Sequence, residues 1–85
     1  MKKVVIYTSD YCPYCIKAKK LLHLKNIPFH DIDITDDEDD MLAKLEEKTG
    51  WETVPQIFID DKFIGGFDSL LDLDKNQKLD ELLKD

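Results

Sequence analysis

The sequence has 85 residues, of which 42% are hydrophobic and 36% charged, which is typical of a globular protein with one domain over residues 1–85. The formal net charge of −7 argues against nucleic-acid or anionic-membrane binding, because both partners attract basic patches. The apolar run from Val4 to Tyr7 is too short for a signal peptide or a membrane span, so we expect a cytoplasmic protein.

The first third of the chain predicts a strand, a helix and a second strand. Residues 3–8 are rich in β-branched and aromatic side chains, as in a buried strand. A helical period begins at Pro13 and breaks at Pro28. Its apolar positions are Ile16, Leu21, Leu22 and Leu24. Residues 29–34 alternate apolar and polar side chains, which predicts a strand parallel to the first through a right-handed crossover.

A second long helix is predicted after residue 34. Thr35 and Glu38 have the spacing of a capping box, in which each side chain bonds a backbone N–H of the first turn. The acidic residues 36–40 complement the positive end of the helix dipole, and we favour this role over a metal site. Gly50 is expected to end the helix as a C-terminal cap.

The last third of the chain predicts a hairpin followed by two short helices. Residues 55–59 and 62–64 form the strands, and Asp60-Asp61 forms the turn between them. The helices cover about residues 68–73 and 78–84. The order is therefore β-α-β-α-β-β-α with the last helix split, which gives an α/β fold with a four-stranded mixed sheet flanked by helices.

The only two cysteines, Cys12 and Cys15, open the first predicted helix. Pro13 suits the first helical position, so Cys12 is expected to be the N-cap residue, with its sulfur facing the N–H groups of Tyr14 and Cys15. These donors and the helix dipole favour a thiolate, which makes Cys12 the predicted nucleophile. Cys15 lies one turn deeper and is predicted to be the less ionised, resolving thiol.

The cysteine pair could instead be a chance spacing or half of a zinc site. A structural zinc ion takes four ligands, and the chain has no second pair of cysteines. The only histidines are His23 and His30, and His23 lies about two helical turns beyond Cys15. We therefore expect no metal at this site.

Three segments together resemble the glutaredoxins of the dithiol kind, and the resemblance covers nearly the whole chain. They are Cys12-Pro13-Tyr14-Cys15, Thr53-Val54-Pro55, and Gly65-Gly66 followed by Asp68. The resemblance implies a thioredoxin-like fold, a redox-active disulfide between Cys12 and Cys15, and a cis proline at Pro55. It also implies a glutathione site. The residues expected to bind glutathione are Tyr14, Thr53, Val54, Pro55, Gly66, Phe67 and Asp68.

Two positions depart from the pattern of the family. Ser9 stands where similar glutaredoxins carry a lysine or arginine that pairs with a glutathione carboxylate, which predicts weaker glutathione binding. Ser69 stands where many members carry an acidic residue, for which Asp68 could substitute. The lysines that could supply the missing charge are Lys17, Lys19 and Lys20. Trp51 either lines the groove or packs at a loop.

The resemblance implies an enzyme, a monomeric glutathione-dependent thiol–disulfide oxidoreductase that reduces protein disulfides and glutathione mixed disulfides. Glutathione would be a co-substrate, with no cofactor bound, and ribonucleotide reductase could be one protein partner. One alternative is a small redoxin that a flavoprotein thioredoxin reductase recharges and that donates electrons to ribonucleotide reductase, but its usual motifs lack the Pro-Tyr. Another is a [2Fe–2S] cluster carrier, against which Pro13 argues, because cluster-binding members usually have a smaller or more flexible residue there.

Overall fold

The computed structural model describes all 85 residues, and its elements follow the predicted order. The strands are β1 (Val4–Thr8), β2 (His30–Asp33), β3 (Gln56–Ile59) and β4 (Lys62–Gly65). The helices are α1 (Pro13–Leu24), α2 (Glu38–Thr49), α3 (Phe67–Lys75) and α4 (Leu79–Leu83), with a 3₁₀ turn at Thr35–Asp37 before α2. No helix has both the length and the apolar character needed to cross a membrane.

The four strands form one mixed sheet in the order β2-β1-β3-β4. As predicted, β1 and β2 are parallel, whereas β3 is antiparallel to both β1 and β4. The hairpin turn places Asp60 and Asp61 at φ 49° and 67°, the left-handed values that a two-residue turn of type I′ requires. The predicted fold class, a mixed sheet flanked by helices, is therefore confirmed.

The main core lies on the face of the sheet that α1, α3 and α4 cover. Because successive strand residues point to opposite faces, Ile6 and Ile57 lie in this core, whereas Phe58 points to the other face. There the ammonium group of Lys48 on α2 lies 5.2 Å from the centroid of the Phe58 ring. The buried core residues are Val4, Ile6, Ala18, Leu22, Ile27, Ile57, Ile59, Leu70, Leu79 and Leu83.

The predicted apolar face of α1 was partly wrong. Ile16 and Leu24 are 51% and 81% exposed, and the residues that face the core are Cys15, Ala18 and Leu22. These three follow the spacing of three and four that places side chains on one side of a helix. Ile16 is one residue beyond Cys15 and is therefore rotated about 100° away from the core.

The strand predicted from the alternation of residues 29–34 is present as β2, but all four of its residues are exposed. This strand is at the edge of the sheet, with a neighbour on one side only. The apolar residues that anchor it lie just outside its ends. Ile34 is buried, and Phe29 packs partly against the core.

The predicted capping box before α2 was wrong. Thr35 begins the 3₁₀ turn, and Asp37, which precedes α2, makes no capping bond with its side chain. Thr35 Oγ1 instead accepts a hydrogen bond of 2.9 Å from the backbone N–H of Asp10, and Glu38 accepts one from the Tyr11 hydroxyl. Both side chains therefore bind the loop before Cys12 and not their own helix. Gly50 ends α2 as predicted, at φ 81°.

Candidate active site

The loop of residues 9–12, here called the cysteine loop, and the loop that ends at Pro55 lie side by side because β1 and β3 are antiparallel. Tyr7 near the end of β1 pairs with Gln56 at the start of β3, so the segments beyond them meet at the same edge of the sheet. The Cys12 sulfur lies 3.7 Å from the Val54 carbonyl oxygen. The peptide bond between Val54 and Pro55 is cis, as the resemblance implied.

Cys12 is the N-cap residue of α1, as predicted. Its backbone is extended (φ −93°, ψ 109°), and Pro13 occupies the first turn, where its missing N–H costs no hydrogen bond. The backbone N–H of Cys15 donates a hydrogen bond of 3.1 Å to the Cys12 sulfur. This donor and the helix dipole favour a negatively charged sulfur at this position. Cys12 is buried but keeps 8% of its surface accessible to solvent.

Cys15 is fully buried at the start of α1, with no solvent exposure. Burial, followed by the hydrogen bond with Cys12, raises the pKa of the Cys15 thiol to about 12. The backbone of Ser9 and the charge of Lys19 act in the opposite direction but are outweighed. Cys15 is therefore protonated at neutral pH. The two residues differ in exposure, 8% for Cys12 and none for Cys15, and only the Cys12 sulfur accepts a hydrogen bond from the helix N–H of Cys15.

This difference predicts selective alkylation. When the reduced protein is treated with one equivalent of iodoacetamide at pH 7, we expect modification at Cys12 and almost none at Cys15, because only the thiolate reacts. A thiol whose pKa is raised to about 12 is almost entirely protonated at that pH. Peptide mass spectrometry gives the two extents. As a control, both cysteines should react alike in denaturant. Equal modification of the two cysteines in the folded protein would contradict the prediction that Cys12 is the reactive thiol.

A groove of about 200 Å³ opens beside the cysteine loop. Its walls come from the start of α1, the loop before β3 and the start of α3. The residues that line it are Tyr14, Trp51, Thr53, Val54, Pro55, Gly66, Phe67 and Asp68. The structure thus brings together every residue that the resemblance implied for glutathione, and it adds Trp51.

Trp51 both lines the groove and packs at its loop, so the two expectations for this residue are compatible. Its indole meets the Phe63 ring edge to face at 5.1 Å, and 39% of the residue is exposed. On the groove side, a Cβ atom at Gly66 would lie 3.0 Å from Cζ3 of Trp51 and 3.3 Å from the Pro55 carbonyl oxygen. A larger residue at this position would therefore require the indole of Trp51 to move by a few tenths of an ångström.

The buried amide of Gln56 fixes the loop that forms one wall of the groove. Its Nε2 donates to the carbonyl oxygens of Trp51 and Thr53, at 3.0 and 3.1 Å, and its Oε1 accepts a hydrogen bond from Thr49. A buried amide is stable only when its donors and acceptor are paired, and here each of them has a partner. Sequence reasoning missed this role because Gln56 reads as an ordinary strand residue.

Lys17 is a cationic residue beside the groove, because its side chain lies over the ring of Tyr14. Its ammonium lies 5.1 Å from the centroid of the Tyr14 ring, whereas Lys19 pairs with Asp31 at 2.9 Å. Ser9, where the family pattern has a basic residue, is only 3% exposed, and its hydroxyl has no hydrogen-bond partner. No group of three or more histidine, cysteine or acidic residues is arranged to hold a metal ion.

Comparisons with known proteins agree with this geometry. The family model described as Glutaredoxin matches residues 4–64. The sequence is 48% identical to Glutaredoxin 3 of Escherichia coli (strain K12), over 99% of this chain and 100% of the relative. The holo form of poplar glutaredoxin C1 superimposes with a TM-score of 0.90 at 31% identity, covering 96% of this chain and 83% of that one. The buckwheat glutaredoxin–glutathione complex superimposes with a TM-score of 0.88 at 35% sequence identity, covering 96% of this chain and 76% of that one.

Proposed function

This chain belongs to the glutaredoxin family and is therefore a thiol–disulfide oxidoreductase, and from this premise we propose that it depends on glutathione as its co-substrate. It would reduce glutathione mixed disulfides and protein disulfides, as a monomer in the reducing environment of the cytoplasm. No resident cofactor has a part in this proposal.

One observation carries the proposal. The groove that contains all the residues implied for glutathione lies directly beside Cys12, whose sulfur is 3.7 Å from the Val54 carbonyl oxygen. Glutathione is an extended tripeptide, and the Val54 backbone before Pro55 offers polar groups for pairing with such a peptide. At the far end of the groove Gly66 allows close approach to the backbone, and Asp68 lies in the first turn of α3. The buckwheat complex with glutathione, in a protein of the same fold, gives further support.

We propose the following reaction for a glutathionylated protein. The Cys12 thiolate attacks the glutathione sulfur of the mixed disulfide, a Cys12–glutathione disulfide forms, and the protein sulfur leaves as a thiolate that takes up a proton. A second glutathione thiolate then attacks the glutathione sulfur bound to Cys12. Oxidised glutathione leaves, and Cys12 returns to its thiolate form, so each glutathionylated protein consumes one free glutathione, which leaves in a disulfide with the glutathione that was removed.

For a protein disulfide, Cys15 would replace the second glutathione in the resolving step. Cys12 first forms a mixed disulfide with the substrate, which neutralises the charge on its sulfur. Since that charge and the hydrogen bond with Cys12 both raise the pKa of Cys15, Cys15 ionises more easily in the intermediate that it must attack. The Cys12–Cys15 disulfide that results is then reduced by two glutathione molecules.

A coupled assay tests the reductant. The protein is incubated with a glutathionylated peptide, glutathione, glutathione reductase and NADPH, and NADPH oxidation is followed. We expect turnover that depends on glutathione. Turnover with a flavoprotein thioredoxin reductase, and none with glutathione, would instead support the small-redoxin alternative. Visible absorbance in protein purified without oxygen would point to the cluster carrier.

Lys17 is expected to assist glutathione binding. Glutathione carries two carboxylates and one ammonium, and Lys17 lies over the ring of Tyr14 at the groove. An exposed charge pair contributes roughly 0.2–1 kcal/mol, so Lys17→Gln should raise the KM for glutathione about 1.4- to fivefold with little change in kcat. The effect should shrink at high salt.

Lys20→Gln is the matched control for this prediction. Lys20 is, like Lys17, an exposed lysine of α1 without an ion pair, but no aromatic ring of the groove lies under its ammonium. The control therefore removes the same charge from the same helix at a greater distance from the site. Equal changes of KM in the two variants would show that net charge, and not the position of Lys17, determines the effect.

A further inference from the structure

Tyr11 is an exposed aromatic residue beside the nucleophile that the proposed reaction does not use. It directly precedes Cys12, so the Cα atoms of the two residues are about 3.8 Å apart. Its side chain is 65% exposed, yet it does not line the groove assigned to glutathione. An exposed ring so close to a reactive sulfur is available to any molecule that reaches that sulfur.

The exposed ring of Tyr11 is anchored at its hydroxyl end. The Tyr11 hydroxyl donates to both carboxylate oxygens of Glu38, at the first residue of α2. The preceding residue is also fixed, because the Asp10 N–H donates to Thr35 at 2.9 Å. A side chain ordered in advance loses less conformational entropy when a partner binds.

Two acidic residues adjoin Tyr11: Asp10 precedes it in the sequence, and Glu38 accepts the hydrogen bond of its hydroxyl. Neither Asp10 nor Glu38 forms an ion pair with any lysine of the chain. Tyr14, the other exposed tyrosine at the site, already has the ammonium of Lys17 over its ring at 5.1 Å, whereas no cation of this chain lies over Tyr11. An aromatic face next to carboxylates attracts a lysine or arginine side chain through cation–π and ionic interactions.

We propose that Tyr11, Asp10 and Glu38 form a subsite for a cationic side chain next to the reacting cysteine of a polypeptide substrate. The inference rests on the proposed function. When glutathione fills the groove, the polypeptide half of a mixed disulfide must lie on the surface around Cys12 outside the groove. Tyr11 belongs to that surface, so it would select among polypeptides without affecting small disulfides.

The test compares glutathionylated peptides that differ only in the residue beside the cysteine, which is lysine, glutamine or glutamate. The mixed disulfide of glutathione and 2-mercaptoethanol serves as the reference, since it has no side chain for the subsite. We expect kcat/KM for the lysine peptide to exceed that for the glutamate peptide by roughly three- to tenfold at low salt. Tyr11→Leu and Glu38→Gln should each reduce this ratio at least twofold, with activity on the reference within twofold of wild type.

Glu47→Gln is the matched control, because Glu47 is an exposed, unpaired glutamate on the same helix as Glu38. It changes the net charge by the same amount but should leave the ratio unchanged. A ratio of one in the wild type, or a ratio that neither Tyr11→Leu nor Glu38→Gln alters, would overturn the inference. So would an equal change in Glu47→Gln, which would assign the preference to the overall negative charge.

The reference substrate separates this inference from the proposed function. If the wild type shows no glutathione-dependent activity on the reference, the proposed function fails and the subsite fails with it. If the reference is reduced but the peptides are not distinguished, only the subsite is wrong. Thermal unfolding of each variant checks that the substitutions leave the fold intact.

Discussion

Replacing Cys12 by serine is expected to abolish thiol–disulfide exchange, whereas replacing Cys15 is expected to remove only part of it. The Cys12 sulfur accepts the helix N–H of Cys15 at 3.1 Å, and 8% of the Cys12 surface is accessible to solvent, whereas Cys15 is fully buried and uncharged at neutral pH. Cys12→Ser should therefore reduce kcat/KM by several orders of magnitude on every substrate, since a hydroxyl is a far weaker nucleophile than a thiolate. Cys15→Ser should still remove glutathione from a mixed disulfide, because a second glutathione can resolve the intermediate.

Two substrates distinguish these roles in one experiment. A glutathionylated peptide needs one protein thiol, and a disulfide-bonded protein that lacks a glutathione adduct needs two when glutathione is limiting. Cys15→Ser should keep most activity on the first substrate and lose most on the second. Equal losses on the glutathionylated peptide in both variants would refute the assignment of nucleophile and resolving thiol.

Gly65→Ala is expected to cause the largest loss of stability outside the core. Gly65 ends β4 at φ 116°, a conformation that costs an L-residue about 1–3 kcal/mol. A Cβ atom there would also overlap Oγ of Ser69, in the first turns of α3, and lie 2.7 Å from its Cβ. The helix would have to shift. Since 1 kcal/mol lowers Tm by roughly 4–8 °C in a domain of this size, we expect a decrease on the order of 10 °C.

Gly50→Ala is the control that separates backbone strain from steric overlap. Gly50 also has a positive φ, 81°, but a Cβ atom there meets nothing within 4 Å. The loss of stability in Gly50→Ala should therefore come from backbone strain alone, about 1–2 kcal/mol. Calorimetry on both variants gives the difference, and similar Tm values would show that Ser69 and α3 adapt without cost.

The order of elements could be predicted from the sequence because it depends on local signals. The strand composition of residues 3–8, the helix start at Pro13 and the glycine at the end of α2 each act within a few residues. The predictions of local structure failed where contacts between distant segments outweigh the local preference of the sequence. Thr35 and Glu38 have the spacing of a capping box, but hydrogen bonds to Asp10 and Tyr11 compete for the same side chains.

Part of the candidate site could also be predicted, because some of its features depend on local sequence signals. Cys12 as N-cap follows from Pro13 and the strand before it, and all residues implied by the family resemblance do line one groove. Ser9 could not be predicted as buried, because its exposure depends on how the loop folds back over Cys15. The role of Gln56 is likewise invisible in sequence, since the carbonyl groups it binds are up to five residues away in a loop without regular structure.

The hydrogen bonds of Gln56 have a consequence for the thermodynamics of binding. They orient the carbonyl groups of Trp51 and Thr53 inward, so the loop before Pro55 is ordered before any ligand arrives. The loss of backbone freedom, roughly 1–2 kcal/mol per residue, is then part of folding and not of association. A peptide that paired with Val54, as proposed, would meet an ordered segment, and its affinity would reflect the contacts it makes with little reduction from ordering the protein.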